Sequence, residues 1–252
     1  MNKTIILCFV ALILATTSCQ DSKYDETAVS VTFLVDVTEQ PLFDAIESDF
    51  NQNLNAFFAN TGIGIINFGQ RLTIRMGPID ASDQLTLHSR SIAIPNNKVS
   101  RKEAQRQRNP RPILEMISSE LVRYKQLSER QMNSPIIDVT LKTFREMNSE
   151  DREILVICTD GLEYNTRYAN FYKNIPNTEE AVMNLISKID PILLAEAKEQ
   201  IESTDPEVLF ILKPNEKVNN NAMLKQFYNQ FMHQLGVNTV RFIDNLSNNP
   251  NL

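Results

Sequence analysis

Three short segments carry side-chain oxygens where a fold could gather them. Asp36-Val37-Thr38-Glu39-Gln40 follows the apolar run 28–35, and Thr159-Asp160-Gly161 closes the apolar run 154–159. Ser134-Pro135-Ile136-Ile137-Asp138 stands between them. Aspartate and hydroxyl oxygens, without nitrogen or sulfur, suit a hard divalent cation such as Mg2+, Mn2+ or Ca2+. Histidine chemistry has little to draw on, because the chain holds two histidines, His88 and His233. That excludes a His-rich zinc site and gives no support to a Ser-His-Asp or Cys-His arrangement. Phosphate-cradling loops need glycine, and this chain has six in 252 residues, against a usual share of roughly 7%. The nearest approach, Gly62-Ile63-Gly64-Ile65-Ile66-Asn67, has asparagine in place of the third glycine, so no nucleotide is expected. If a bound cation served a hydrolase, a phosphoesterase for instance, only Glu39, Asp138 or Glu163 stands near enough in sequence to act as its base.

The elements that must position these groups follow from hydrophobic periodicity. Residues 28–35 are β-branched and nearly uncharged, a buried central strand, and 154–159 and 208–212 read the same way. Residues 42–59 place apolar side chains at 42, 43, 46, 50, 54, 57 and 58, which is helical spacing. Residues 62–68 and 72–76 are expected as a hairpin around Gly69-Gln70, and 85–94 as a weakly alternating strand. Helices are expected over 101–127 (broken at Asn109-Pro110-Arg111-Pro112), over 135–147 with proline in the first turn, and over 221–235. Residues 178–203 form another, turning at Asp190-Pro191, and 239–243 is a last strand. The alternation predicts an α/β fold, Rossmann-like, with a mostly parallel central sheet and helices on both faces. Ligands of such sheets bind at the carboxyl ends of central strands, where the strand order reverses. Asp36 and Asp160 would both stand there.

Residues 1–18 read as a cleavable leader. Lys3 supplies a positive start, and 5–15 is an almost unbroken apolar run of 11 residues. As a helix that run covers about 16 Å, roughly half of a hydrocarbon core, which makes it a signal segment rather than a span. Ala15-Thr16-Thr17-Ser18-Cys19 resembles the lipobox of bacterial lipoproteins. The resemblance implies acylation of Cys19 with a fatty chain such as palmitate, a tether over 19–27, and a domain anchored by lipid in the bacterial cell envelope. Loss of Lys3 with the leader takes the formal net charge from −6 to −7. Cys8 departs too, so Cys158 remains as the one unmodified cysteine and no disulfide framework is expected.

The order of the oxygen-bearing segments resembles a von Willebrand factor type A (vWA) domain. The metal-ion-dependent adhesion site of that family reads Asp-x-Ser-x-Ser after its first strand, with a Thr in a mid-chain loop and an Asp, usually followed by Gly, after a later strand. Asp36 and Asp160 match the acids, and Thr38 stands for the first serine. Ser134 matches the loop threonine, its Ser-Pro-Ile-Ile-Asp resembling the family's Thr-Pro-Leu-x-Asp. Gln40 stands where the second serine belongs, a departure that makes the site partly degenerate. The resemblance covers 28–246, with a helical insertion at about 96–130, one antiparallel edge strand and a tail at 247–252. It implies a binding module rather than an enzyme, in which a metal completes its shell with an acidic side chain from a partner protein. A structural component of an envelope assembly, with an inactive metal site, is the other non-enzymatic reading.

Two further features have plain alternatives. Arg90, Lys98, Arg101, Lys102, Arg106, Arg108 and Arg111 face one acid, Glu103, between positions 90 and 111. Arg101, Lys102, Arg106, Arg108 and Arg111 are candidates to meet an anionic surface, although a solvated helix face explains them as well. No aromatic residue interleaves them, so nucleic acid is not the expected partner. Glu163, Tyr164 and Tyr168 follow Asp160 closely and, with Glu39, are candidates for the partner-facing rim.

Overall fold

A run of side chains with no charge and many β-branches is stable where both faces of a strand are covered, and Ala28–Asp36 (β1) is buried almost throughout. The computed structural model describes residues 28–60, 71–80, 85–93, 111–128, 133–148, 151–213 and 221–248. In chain order β1 is followed by α1 (Gln40–Asn60), β2 (Arg71–Ile79), β3 (His88–Ala93), α2 (Arg111–Ser128) and α3 (Ile136–Arg145). Then come β4 (Asp151–Thr159), a two-residue hairpin of β5 (Tyr164–Asn165) and β6 (Ala169–Asn170), and α4 (Glu179–Ile186). The chain continues through α5 (Pro191–Thr204), β7 (Glu207–Leu212), α6 (Asn221–Leu235) and β8 (Thr239–Ile243) to a 3-10 turn at Leu246–Asn248.

Six strands form one sheet in the order β3-β2-β1-β4-β7-β8. All neighbours are parallel except β3, which runs antiparallel to β2 at the edge. The fold is therefore α/β and Rossmann-like, as the alternation of strands and helices predicts. The order reverses at β1: the chain first moves outward to β2 and β3, then returns to the other side of β1 with β4. The crevice of the sheet thus opens between the carboxyl ends of β1 and β4.

Side-chain alternation sorts the core into two layers. Val31, Phe33 and Val35 of β1, with Ile154, Val156 and Cys158 of β4, pack against α1 and α2. Leu34, Leu155 and Ile157 point to the opposite layer, built by α3, α4, α5 and α6. Phe33 ties β1 to α1 by ring contacts with Phe50 at 5.2 Å and Phe57 at 5.5 Å. Each such fully buried side chain stabilises the fold by roughly 1.5–3 kcal/mol relative to exposure. Cys158 is buried in this layer as a small apolar side chain.

The edge of the sheet differs from expectation. Residues 72–76 pair with β1 on one edge and with β3 on the other, while the hairpin partner expected at 62–68 lies outside the described residues. Helix α2, within the insertion expected at about 96–130, buries Ile113, Ile117, Leu121 and Tyr124 in the core layer shared with α1. The two-residue strands β5 and β6 are too short for any periodicity to announce. Residues 62–68, Arg101, Lys102, Arg106, Arg108 and the segment 1–27 with Cys19 lie outside the described residues. Arg111 is exposed and pairs with Glu115 one turn on, at 2.8 Å. Among the described residues no helix is long and apolar enough to cross a membrane.

Candidate functional site

Asp36 is the last residue of β1 and shares its parity with Leu34, so its side chain turns toward the layer of α3 to α6. It is completely buried. Four donors reach its carboxylate. Oδ1 accepts the backbone N–H of Thr38 at 3.1 Å and the Thr38 hydroxyl at 2.6 Å. Oδ2 accepts the Ser134 hydroxyl at 2.8 Å and the Thr159 hydroxyl at 2.6 Å. Burial pushes this carboxyl above its ordinary value, and the three hydroxyl donors pull it back. Every group that bonds it is neutral. A buried carboxylate so surrounded is a costly charge until a cation approaches it.

Asp160, one residue beyond β4, is 3% exposed and accepts the Leu162 N–H at 2.9 Å in an Asx turn. Gly161 enables that turn with φ of +79°. A methyl group there would also meet Leu212 Cδ2 at 3.2 Å. The Gly161 N–H donates to the Thr159 hydroxyl at 3.0 Å, and the Tyr228 hydroxyl of α6 donates to the Gly161 carbonyl at 3.0 Å. Thr159 therefore links the two aspartate segments.

Ser134 is held from behind by the loop after β4. Helix α3 begins with Pro135 as its N-cap, which has no side-chain acceptor to offer the first free N–H groups. Glu163 supplies one from another loop: its Oε2 accepts the Ile137 N–H at 2.9 Å, and Tyr164 N–H donates to the Ser134 carbonyl at 2.9 Å. Glu163 is fully buried, and its Oε1 has no hydrogen-bond partner among the described residues. Burial pushes its carboxyl well above the ordinary range, and the charges of Asp138 and Asp36 push the same way. Expected at the partner-facing rim, Glu163 is instead an internal clamp with no surface to offer.

The other candidates separate. Gln40, expected beside Asp36, commits its amide elsewhere: Nε2 donates to Asp44 at 2.8 Å, and Oε1 accepts the Ser128 hydroxyl of α2 at 2.6 Å. It bonds none of the Asp36 partners. Tyr164 and Tyr168 are half-buried on the far side of Ser134, with the Tyr168 hydroxyl donating to Asp138 at 2.7 Å. Tyr172 was not among the expected site residues. It is 38% exposed, and Asp160, Glu39 and Asp36 join burial in raising its hydroxyl pKa. Glu39 is half-buried near the same mouth.

Thr159 stood in one of the three oxygen-bearing segments, but its bond to Asp36 was not expected. The signal for Thr159 was its place at the end of β4: Val35 pairs with Cys158, so Asp36 and Thr159 are next neighbours on adjacent strands. Chemically, Thr38 and Ser134 donate their protons to Asp36 and keep their lone pairs free for a cation. Their oxygens and the carboxylates of Asp36 and Asp160 are the donor type that a hard divalent ion takes. Among the described residues no group of three or more His, Cys, Asp or Glu side chains could hold a metal, so these hydroxyls would be needed.

No family model matches this chain, and no curated protein matches it. Among solved structures it is similar to proximal thread matrix protein 1 of the mussel byssus, at 13% identity and a TM-score of 0.34, over 90% of this chain and 46% of that one. It is also similar to the human COPII-coat protein Sec24c, at 12% identity and a TM-score of 0.37, over 89% of this chain and 31% of that one. The chain thus spans less than half the length of either.

Proposed function

We propose that this chain is a lipid-anchored, vWA-like interaction module of a bacterial envelope. It binds a protein partner through a divalent cation, Mg2+ before Mn2+ or Ca2+, held by Asp36, Thr38, Ser134 and Asp160. The observation that carries the reading is the fully buried Asp36 carboxylate, bonded by neutral hydroxyls from three segments of the chain. A cation removes the cost of that buried charge. An acidic side chain of the partner then completes the ion's shell, with Glu39 and Tyr172 at the mouth. Gln40 has no part in holding the ion.

Calorimetric titration of the full chain in detergent with Mg2+ and Mn2+ tests the proposal. Saturable binding is expected in the parent and is lost in both Asp36→Ala and Asp160→Ala. Binding that persists in both variants, or no binding in a folded parent, overturns the site.

A further inference from the structure

We propose that the groove bounded by α3, the β5–β6 hairpin and the α4–α5 turn is a second binding site, which takes a carboxylate-rich peptide segment of a protein partner. The groove encloses about 700 Å³, within the range of ligand-binding clefts. Each wall contributes one cation: Lys142 from α3, Arg167 from the hairpin and Lys188 from the end of α4. Set against Asp138 and Asp190 in the same lining, this leaves an excess of one positive charge in a chain of net charge −6.

The two acids that line the groove are bonded by neutral donors and keep their charge, so three cations stand against two anions there. Asp138 accepts the Asn165 side-chain amide at 2.8 Å and the Tyr168 hydroxyl at 2.7 Å. Asp190 caps α5 by accepting the Ile192 N–H at 2.8 Å. The Asp138 bonds also latch the hairpin onto α3, so the wall is preformed and little ordering is needed on binding. Arg167 and Lys188 are exposed and make no ion pair among the described residues. A guanidinium fork and an ammonium lining one groove suit carboxylates along an extended chain. The aromatic ring of Tyr164 and the amide of Asn133 offer contacts to the peptide between them.

Asn133 and Pro135 line this groove, while Ser134 between them donates to Asp36. One tripeptide thus borders both the groove and the Asp36 carboxylate, yet the groove needs no cation of its own.

The test uses the full chain in detergent and a fluorescein-labelled hexaglutamate peptide, read by anisotropy in EDTA. Saturable binding is expected, weakened at least tenfold by Arg167→Ala/Lys188→Ala. The control pair Lys173→Ala/Lys198→Ala, which removes the same charge from other exposed positions, changes affinity less than twofold. Equal losses in the two pairs, no binding, or displacement of the peptide by millimolar inorganic phosphate each overturn the assignment. Because no divalent ion is present, a failed Mg2+ titration leaves this result standing, and the reverse also holds.

Discussion

Ser134 and Asp36 lie 98 positions apart in the chain and are joined by a hydrogen bond of 2.8 Å inside the protein. The bond depends on a chain of supports. Glu163 caps the helix that starts beside Ser134, Tyr164 holds the Ser134 carbonyl, and Thr159 brings the end of β4 to the same carboxylate oxygen. Removing any one of them should be felt at Asp36.

Thr159→Val keeps the shape and removes the hydroxyl. It takes one donor from Asp36 Oδ2 and leaves the Gly161 N–H without its acceptor. The expected loss is about 1–3 kcal/mol of stability, the usual effect of a buried polar group left unpaired. Mg2+ affinity should fall as well, because Asp36 becomes harder to ionise. Urea unfolding and calorimetry on the same preparation measure both.

Gln40→Ala should behave in the opposite way. The Gln40 amide bonds Asp44 and Ser128, not the Asp36 partners, and Ser128 retains the Lys125 carbonyl as an acceptor at 2.8 Å. Mg2+ affinity is expected to stay within a factor of two, at a stability loss of about 0.5–1.5 kcal/mol. A tenfold fall in affinity would return Gln40 to the ion.

Gly161→Ala sets a side chain at a φ of +79° and against Leu212. About 1–3 kcal/mol of destabilisation is expected from the backbone strain and the contact together. Gly236→Ala, at a φ of +101° with nothing nearer than 3.8 Å, shares the strain without the crowding and is the natural comparison in thermal unfolding.

Labelling with radioactive palmitate checks the anchor. The parent expressed in a bacterial host should take up label, and Cys19→Ser should not. An unlabelled parent removes Cys19 from the proposal.

The centre of the sheet was legible because β1, β4 and β7 are buried on both faces and so read as nearly uninterrupted apolar runs, each ending where a polar residue emerges. Asp36 and Asp160 were legible for the same reason, since the end of a central strand is visible in one dimension. Thr159 was not, because its partner is set by the register of two parallel strands separated by more than a hundred residues. Glu163 was misplaced for a related cause. A glutamate in a loop after a strand is ordinarily solvated, and only the uncapped start of α3, contributed by another segment, gives it a reason to be buried. Gln40 was aligned by position along β1 and α1, whereas its side chain answers to Ser128 on α2.

Glu163 gives the sharpest pH signature. Its carboxyl is pushed well above the ordinary value of 4.5 by burial, so the folded chain keeps a proton that the unfolded chain releases. The contribution of Glu163 to stability is therefore fully present below about pH 4.5 and is lost as the pH rises through its folded value. Glu163→Gln carries no titrating proton, and its carbonyl oxygen can still accept the Ile137 N–H. The variant and the parent should have equal stability at pH 4. Above that the variant should gain on the parent by about 1.4 kcal/mol per pH unit until the folded value is reached. Glu163→Ala loses the acceptor and should be less stable than the glutamine variant by about 1–3 kcal/mol at every pH. Urea unfolding from pH 4 to pH 8 separates the three. A glutamine variant that loses stability relative to the parent with rising pH would mean that the native chain holds Glu163 as a carboxylate.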